Sequence, residues 1–330
     1  MANILILLTI ILTGNAAAKP VSLTFGTNWK AQAEHGGFYQ AVAKGIYKKA
    51  GLDVKIRQGG PNVNHSQLLA AGRIDFNMGA GLFDAFNYVQ NGIPMVMVAS
   101  IFQKDPQILM NHPGRYRSLQ DMKKAKIFIS QQARVTYWLW LRARYGFRDE
   151  QIRNYTFNPQ PFLADKAAVQ QGFLTSEPYA IEQRAGFKPD VHLLADSGYH
   201  NYSTTIETSL KMMQERPDVV QRFVRASIEG WYSYLYDDPS AANAMIKKDN
   251  PGISDGQLAY SRAKMVEYGI VDSGDSKKLG IGALSDKRID EFFGFVSGAK
   301  IYPKSLDYKK SYTTRFVNKG VPGNRTGKRM

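Results

Sequence analysis

Two stretches about one hundred residues apart carry the same local pattern, and that repetition most restricts the fold. The first is Leu68-Leu69-Ala70-Ala71-Gly72-Arg73-Ile74-Asp75-Phe76, leading into Asn77-Met78-Gly79-Ala80-Gly81. The second is Ala168-Val169-Gln170-Gln171-Gly172-Phe173-Leu174-Thr175, leading into Ser176-Glu177-Pro178-Tyr179. Each predicts the end of an apolar helix, a glycine in the left-handed cap position, a short buried strand, and a polar loop opening a new helix. In an open α/β sheet a ligand sits in the crevice beyond the carboxyl ends of the strands. Two such loops from two similar lobes can close on one small molecule from both sides.

The spacing of apolar residues extends this pattern along the chain. Strands are expected at Val21–Thr27, Leu52–Gln58, Ile74–Met78 and Met95–Phe102, then at Ile108–Asn111, Lys126–Ser130, Tyr155–Phe157 and Val191–Leu194. Helices are expected between them at Gly37–Ala50, Leu82–Gln90, Val135–Tyr145 and Ala164–Gln171. Alternation with short links predicts mainly parallel sheets covered by helices. From Ser209 onward strands nearly vanish, and Val219–Tyr236, Pro239–Lys248, Ser254–Tyr268 and Ser285–Ser297 have helical spacing. The expectation is therefore a discontinuous first lobe (19–104 and 205–318) and a second lobe (105–204). The crossings near Gln103–Gln107 and Asp196–Thr205 are the hinges.

The N-terminus predicts export. Ile4–Leu12 is an apolar block of signal-peptide length, and Ala16-Ala17-Ala18 supplies the small residues of a cleavage site before Lys19. Residues 1–18 are assigned as the signal peptide. Nothing after residue 20 approaches the roughly 18 uninterrupted apolar residues of a membrane span. The chain has no cysteine, which excludes disulfides, thiolate metal sites, cysteine nucleophiles and a lipidated cysteine. The expected location is a periplasm-like space.

The 330 residues carry a formal charge of +15. Part of that excess lies in a basic tail, and Arg134, Arg142, Arg144, Arg148 and Arg153 cluster around one predicted helix. No nucleic-acid-binding module accompanies them, so nucleic acid is not an expected partner. Residues 319–330 have the composition of a disordered tail.

Catalytic signatures are missing. The five histidines show no metal-ligand spacing, and there is no G-x-S-x-G elbow, Walker A loop or strand-borne G-x-G-x-x-G. No cofactor or metal is expected, and the chain is assigned as a non-enzyme. Aromatic and amide residues gather instead at predicted strand ends: Asn28, Trp29, His35 and Tyr39, then Asn62 and Asn64, then Phe102. His35 and His65 either contact ligand or cap helices. Gly79 either presents backbone N–H groups or allows close strand–helix packing. Arg134 is either an anion contact or a first-turn surface charge, and Glu177 either accepts hydrogen bonds from a ligand's N–H donors or serves as an N-terminal helix charge.

Taken together, Asn28-Trp29, His35-Gly36-Gly37-Phe38-Tyr39, Ala43-Lys44-Gly45-Ile46-Tyr47, Gly51-Leu52-Asp53-Val54 and Gly72-Arg73-Ile74-Asp75-Phe76 form an ordered set. This set resembles the solute-binding proteins of ABC importers in the thiamine-pyrimidine-precursor, nitrate and sulfonate superfamily. The resemblance spans about residues 21–110, and Glu177-Pro178 is consistent with it. It implies a two-lobed α/β periplasmic binding protein of the type II kind, acting as a monomer that delivers a small molecule to a membrane permease with a separate ATPase. The Trp29/His35/Tyr39 pattern is closer to members that bind pyrimidine or flavin-type heterocycles, while Arg134 and the net charge keep sulfonates, taurine and nitrate open. Presentation of ligand to a membrane sensor is the rival role. Pyridoxal-phosphate-dependent pyrimidine synthases share the fold, but they use a cysteine-rich segment that this chain lacks.

Overall fold

The computed structural model describes residues 19–60 and 63–322. The expected signal peptide, Asn62 and the tail from residue 323 lie outside the described residues. The first part of the chain alternates as β1 (Val21–Gly26), α1 (Gly36–Ala43), α2 (Ile46–Lys49), β2 (Leu52–Arg57), α3 (His65–Ala70), β3 (Phe76–Gly79), α4 (Leu82–Gln90) and β4 (Met95–Phe102). The expected helix over 37–50 is divided, because Gly45 adopts a left-handed φ of 65° between its halves.

The second part runs β5 (Gln107–Asn111), β6 (Ile127–Ile129), α5 (Gln131–Arg134), α6 (Tyr137–Tyr145), β7 (Ile152–Asn154), α7 (Gln160–Ala164), β8 (Val169–Phe173), α8 (Glu177–Ala185) and β9 (Asp190–Leu193). The chain then forms β10 (Ser203–Ser209) and a helical return: α9 (Leu210–Glu215), α10 (Pro217–Tyr236), α11 (Ser240–Asp249), α12 (Asp255–Glu267), α13 (Ser276–Leu279) and α14 (Asp286–Gly298).

Two five-stranded sheets result, with orders β2-β1-β3-β10-β4 and β7-β6-β8-β5-β9. In the first, β1 pairs in parallel with β2 and β3, whereas β10 runs antiparallel to β3 and β4. In the second, β6 is parallel to β7 and β8, and β5 is antiparallel to β8 and β9. Each sheet is thus parallel apart from one reversed strand, and connectivity explains the reversal. The chain leaves β4 at its carboxyl end and enters β5 from that same edge, so β5 must run away from the edge where its neighbours finish. It returns from β9 to β10 under the same constraint. Both crossings therefore lie at the carboxyl ends of the remaining strands, where such sheets hold ligands.

Three local expectations differ from the structure. The segment Val169–Phe173, assigned partly to a helix, is β8, and Gly172 lies within this strand rather than at a helix cap. The alternation Val169/Gln171/Phe173 against Gln170/Gly172 carries the strand period. β7 covers Ile152–Asn154 instead of 155–157: its pairing with β6 ends at Asn154, and Phe157 has a left-handed φ of 62° that interrupts an extended run. β10 escaped notice because Ser203-Thr204-Thr205-Ile206-Glu207-Thr208-Ser209 holds one apolar residue. Its polar groups are met inside the fold: the Glu207 carboxyl accepts from Asn77 Nδ2 at 2.9 Å and from the Tyr88 hydroxyl at 2.7 Å.

The helical return packs on the first sheet's layer. Phe38 of α1 meets Trp231 of α10 edge-on at 5.7 Å, Tyr47 stacks on Phe223 at 5.3 Å, and Phe86 of α4 meets Phe293 of α14 at 5.5 Å. At the start of the basic tail, the Gly320 amide donates to the Leu279 carbonyl and Val321 packs on the core, so the described part of that tail is held to the fold.

The α1–α10 crossing depends on small residues. A Cβ on Gly230 would lie 2.2 Å from the Gly37 carbonyl oxygen and 2.7 Å from the Ala41 Cβ. Gly230→Ala should force the helices apart and cost about 1–3 kcal/mol in urea denaturation. Unchanged stability would show that this crossing tolerates separation.

Candidate functional site

A cavity of about 490 Å³ lies between the two sheets. Its first wall comes from the loop after β1 (Asn28, Trp29, Gln32, Glu34) with Met78, Ala80 and Phe83, and its base from the two crossings (Asp105, Gln107, Tyr199, Asn201, Ser203). The opposite wall is built by Ser130 and Tyr137, by Tyr155 and Phe157, by Gln170 to Phe173 of β8, and by α8.

The loop after β1 is pinned at several points. Its Thr27 carbonyl accepts from the buried His65 ring at 2.8 Å, the Trp29 carbonyl accepts from the Gly59 amide at 3.0 Å, and the Ala31 carbonyl accepts from Asn250 Nδ2 at 2.8 Å. A Cβ on Gly59 would come 2.4 Å from the Thr27 oxygen, so only glycine lets the two loops approach. This anchoring presents Trp29, half-buried, toward the opposite lobe. There its ring meets Phe157 at 4.8 Å and 46°, and Phe157 in turn meets Tyr155 at 5.2 Å. Phe157 holds its left-handed φ while 44% exposed. Such a bulky residue in that region costs of order 1–3 kcal/mol and commonly marks a functional position.

A second contact between lobes is polar. Thr175, in the loop between β8 and α8, donates its hydroxyl to the buried Glu34 carboxyl. The Thr175 carbonyl accepts from Ser261 Oγ at 2.6 Å and Gln257 Nε2 at 3.0 Å, both on α12. Burial pushes Glu34 up to about 7, with nearby Glu177 adding to the rise. Asp105 is also pushed up to about 7 by burial, although Asn201 Nδ2 donates to it at 2.9 Å and the Gln107 amide at 3.0 Å. Glu177 opens α8, accepts from the Phe173 amide at 2.8 Å, and is likewise raised by desolvation.

Amides complete the lining. Gln171 Oε1 accepts from the Ser130 amide at 2.6 Å and the Tyr137 hydroxyl at 3.2 Å. Both amide atoms of Gln170 and Oε1 of Gln107 are buried without a partner. The lining contains three carboxylates (Glu34, Asp105, Glu177), and among its described residues Arg184, exposed at the rim, is the sole cation. No group of three or more His, Asp or Glu residues among the described residues is placed to hold a metal, and no described helix is long and apolar enough to cross a membrane.

Of the residues singled out in the sequence, Asn28, Trp29 and Glu177 line this cavity. His35 stands one layer behind, fully buried, with Nε2 3.3 Å from the Asn28 side-chain oxygen; burial pulls its ionisation down to about 3. Of the others that the structure describes, none lines it. Tyr39 is buried and donates to Asp249 at 2.7 Å, while Asn64 caps α3 by accepting from the Gln67 amide at 3.1 Å. Gly79 leaves room for Glu207, whose carboxyl oxygen would sit 1.9 Å from a Cβ there. Phe102 packs in the core against Trp231 at 5.6 Å, and Arg134 faces a surface depression with Trp138, Arg142 and Asp149. The common cause is direction: these side chains turn into the core of their own lobe, to a helix end or to the surface rather than toward the facing lobe.

Sequence reasoning missed Glu34, Asp105, Gln107, Tyr137, Phe157, Gln170 and Gln171. Assigning Gln170 and Gln171 to a strand would have placed them beside a cleft loop. The remaining five carry no local signal, because their role depends on the facing lobe.

Residues 32–242 match the family model described as NMT1/THI5 like. The riboflavin-binding protein RibY of Chloroflexus aurantiacus is 22% identical over 317 residues, covering 93% of this chain and 89% of that protein. The periplasmic aliphatic sulphonate binding protein SsuA of Escherichia coli superposes with a TM-score of 0.64 at 14% identity, over 88% of this chain and 92% of its own. A desulfurization enzyme, DSZB, superposes with a TM-score of 0.56 at 12% identity, over 90% and 97% of the two chains. The fold alone therefore does not choose between binding and catalysis.

Glu34 gives stability a definite pH dependence. The folded protein holds its proton up to about 7, while an exposed glutamate loses it near 4.5. Between these values the folded state binds the extra proton, so stability falls as pH rises. Asp105 acts in the same direction. Buried His35, pulled down to about 3, acts in the opposite direction below its ordinary value near 6.5, so the Glu34 contribution is read as a difference. In urea denaturation between about pH 5 and pH 8 the unaltered protein should lose about 2 kcal/mol relative to Glu34→Gln. An identical slope in the variant would mean that Glu34 is already ionised at the acidic end.

Proposed function

The chain belongs to the NMT1/THI5-like family, and we propose that it is the extracytoplasmic solute-binding component of an ABC importer. It captures a flat, hydrogen-bonding heterocycle of the pyrimidine or flavin kind and delivers it, as a monomer, to a permease with a separate ATPase. Residues 1–18 serve as the export signal. Residues 19–104 and 205–318 move as one lobe against 105–204, about the two crossings.

One observation carries the ligand class: the cavity wall combines aromatic rings, amides and three carboxylates with a single cation at its rim. A buried anion requires opposite charge or donors to offset its desolvation. Carboxylates favour N–H donors instead, and Trp29 with Phe157 supplies faces for a flat ring. A volume near 490 Å³ falls in the range of about 300–1,000 Å³ typical of sites for drug-sized ligands. The name of the riboflavin-binding relative supports the same class.

Both lobes touch the ligand only when closed, so binding favours closure by its differential affinity for that state. Among the described lining residues nothing pairs a nucleophile with a positioned base, which favours capture over turnover. Calorimetry on the chain from Lys19 should detect binding of riboflavin or an aminopyrimidine but not of taurine or nitrate. Trp29→Ala should weaken that binding at least about tenfold, near 1.4 kcal/mol. Tight binding of a sulfonate, abolished by Arg184→Ala, with no heterocycle bound, would overturn this reading.

A further inference from the structure

The cavity is more than a slot between lobes. Glu177, Ala180, Ile181 and Arg184 of α8 all line it. Their spacing places them on one face across two helical turns, about 10 Å of helix. Opposite lies the face of β8 that carries Gln170 and Gly172, two residues apart on the strand. Gly172 matters to this approach, since a Cβ there would sit 2.9 Å from the Glu177 Cβ. Gln171 faces the other way, toward Tyr137. The cavity thus continues into the second lobe as a groove between α8 and β8, ending where Ala180 and Arg184 are exposed.

Gln170 is the unusual feature of this groove. It is 1% exposed, and neither its amide oxygen nor its amide nitrogen has a hydrogen-bond partner. Buried amides are nearly always paired, because an unmade bond leaves the desolvation cost uncompensated. A donor and an acceptor held side by side suit a group that both accepts and donates, which a hydroxyl does and a carboxylate does not.

We propose that the ligand is bipartite: a flat ring held between the lobes near Trp29 and Phe157, and a flexible hydroxylated tail laid along α8 and hydrogen-bonded by Gln170. This rests on the heterocycle-binding reading given above. The groove fixes specificity, since a bare ring fills the slot and leaves Gln170 unpaired. A carboxylate tail would pass Glu177, whose charge disfavours it.

Fluorescence-quenching titrations with two probes test this directly. Riboflavin carries a tetrahydroxylated chain, whereas lumiflavin has the same ring with a methyl group in its place. The unaltered protein should bind riboflavin at least about tenfold more tightly, the difference expected from tail hydrogen bonds. Gln170→Met, similar in volume but without the amide, should reduce that preference to within about threefold, as should Ala180→Leu, which fills the groove from an exposed helix position. Equal affinity of the unaltered protein for the two flavins would overturn the groove while leaving ring binding intact. Binding of an aminopyrimidine but of neither flavin would do the same. Failure of all three rings, with a sulfonate bound instead, would overturn the heterocycle reading as well.

Discussion

The closed arrangement turns on one buried hydrogen bond, from the Thr175 hydroxyl of the second lobe to the Glu34 carboxyl of the first. A carboxyl at that depth is costly when ionised, which is why burial raises it to about 7. Thr175 is fixed in turn by two α12 side chains on its carbonyl, so the helical return braces the loop that reaches across. The aromatic contact of Trp29 with Phe157 closes the other side of the mouth. Polar and apolar contacts between lobes thus flank the same cavity.

The reversed strands β5 and β10 are the second constraint. Each follows a crossing, and each enters its sheet from the edge where the neighbouring strands end. That geometry delivers Asp105 and Gln107 at one crossing and Asn201 and Ser203 at the other to the cavity base. The hydrogen bond from Asn201 to Asp105 ties the crossings together. Residues that connect the lobes therefore also line the cavity.

Much of the fold was legible because its signals are local. The apolar spacing of Leu82–Gln90 and Met95–Phe102 matches the observed elements to the residue, and the α10 stripe lies inside the observed helix. β10 was not legible, since its Glu207 and threonines look like loop until Asn77 and Tyr88 are placed against them. β8 was misassigned because Ala168-Val169-Gln170-Gln171 suits a helix as well as a strand, and pairing with β5 and β6 decided the matter. For the cleft, Asn28, Trp29 and Glu177 were recognisable as polar or amphipathic residues just past a strand. Tyr39 and Phe102 were not separable from them by type, because burial within one lobe depends on direction as well as on distance from the strand end.

The amino-acid sequence by itself determined the alternation of strands and helices, the helical return and the loops that carry Trp29 and Glu177. Periodicity and glycine placement act over a few residues and need no partner. Tertiary structure alone decided that Glu34 meets Thr175, that Phe157 reaches Trp29 from a left-handed backbone, and that Gln170 lines a groove with no internal partner. The first two depend on segments more than one hundred residues apart being brought face to face, and the third on β8 pairing into its sheet beside α8. The desolvation that raises a carboxyl or strands an amide exists only once both walls are in place.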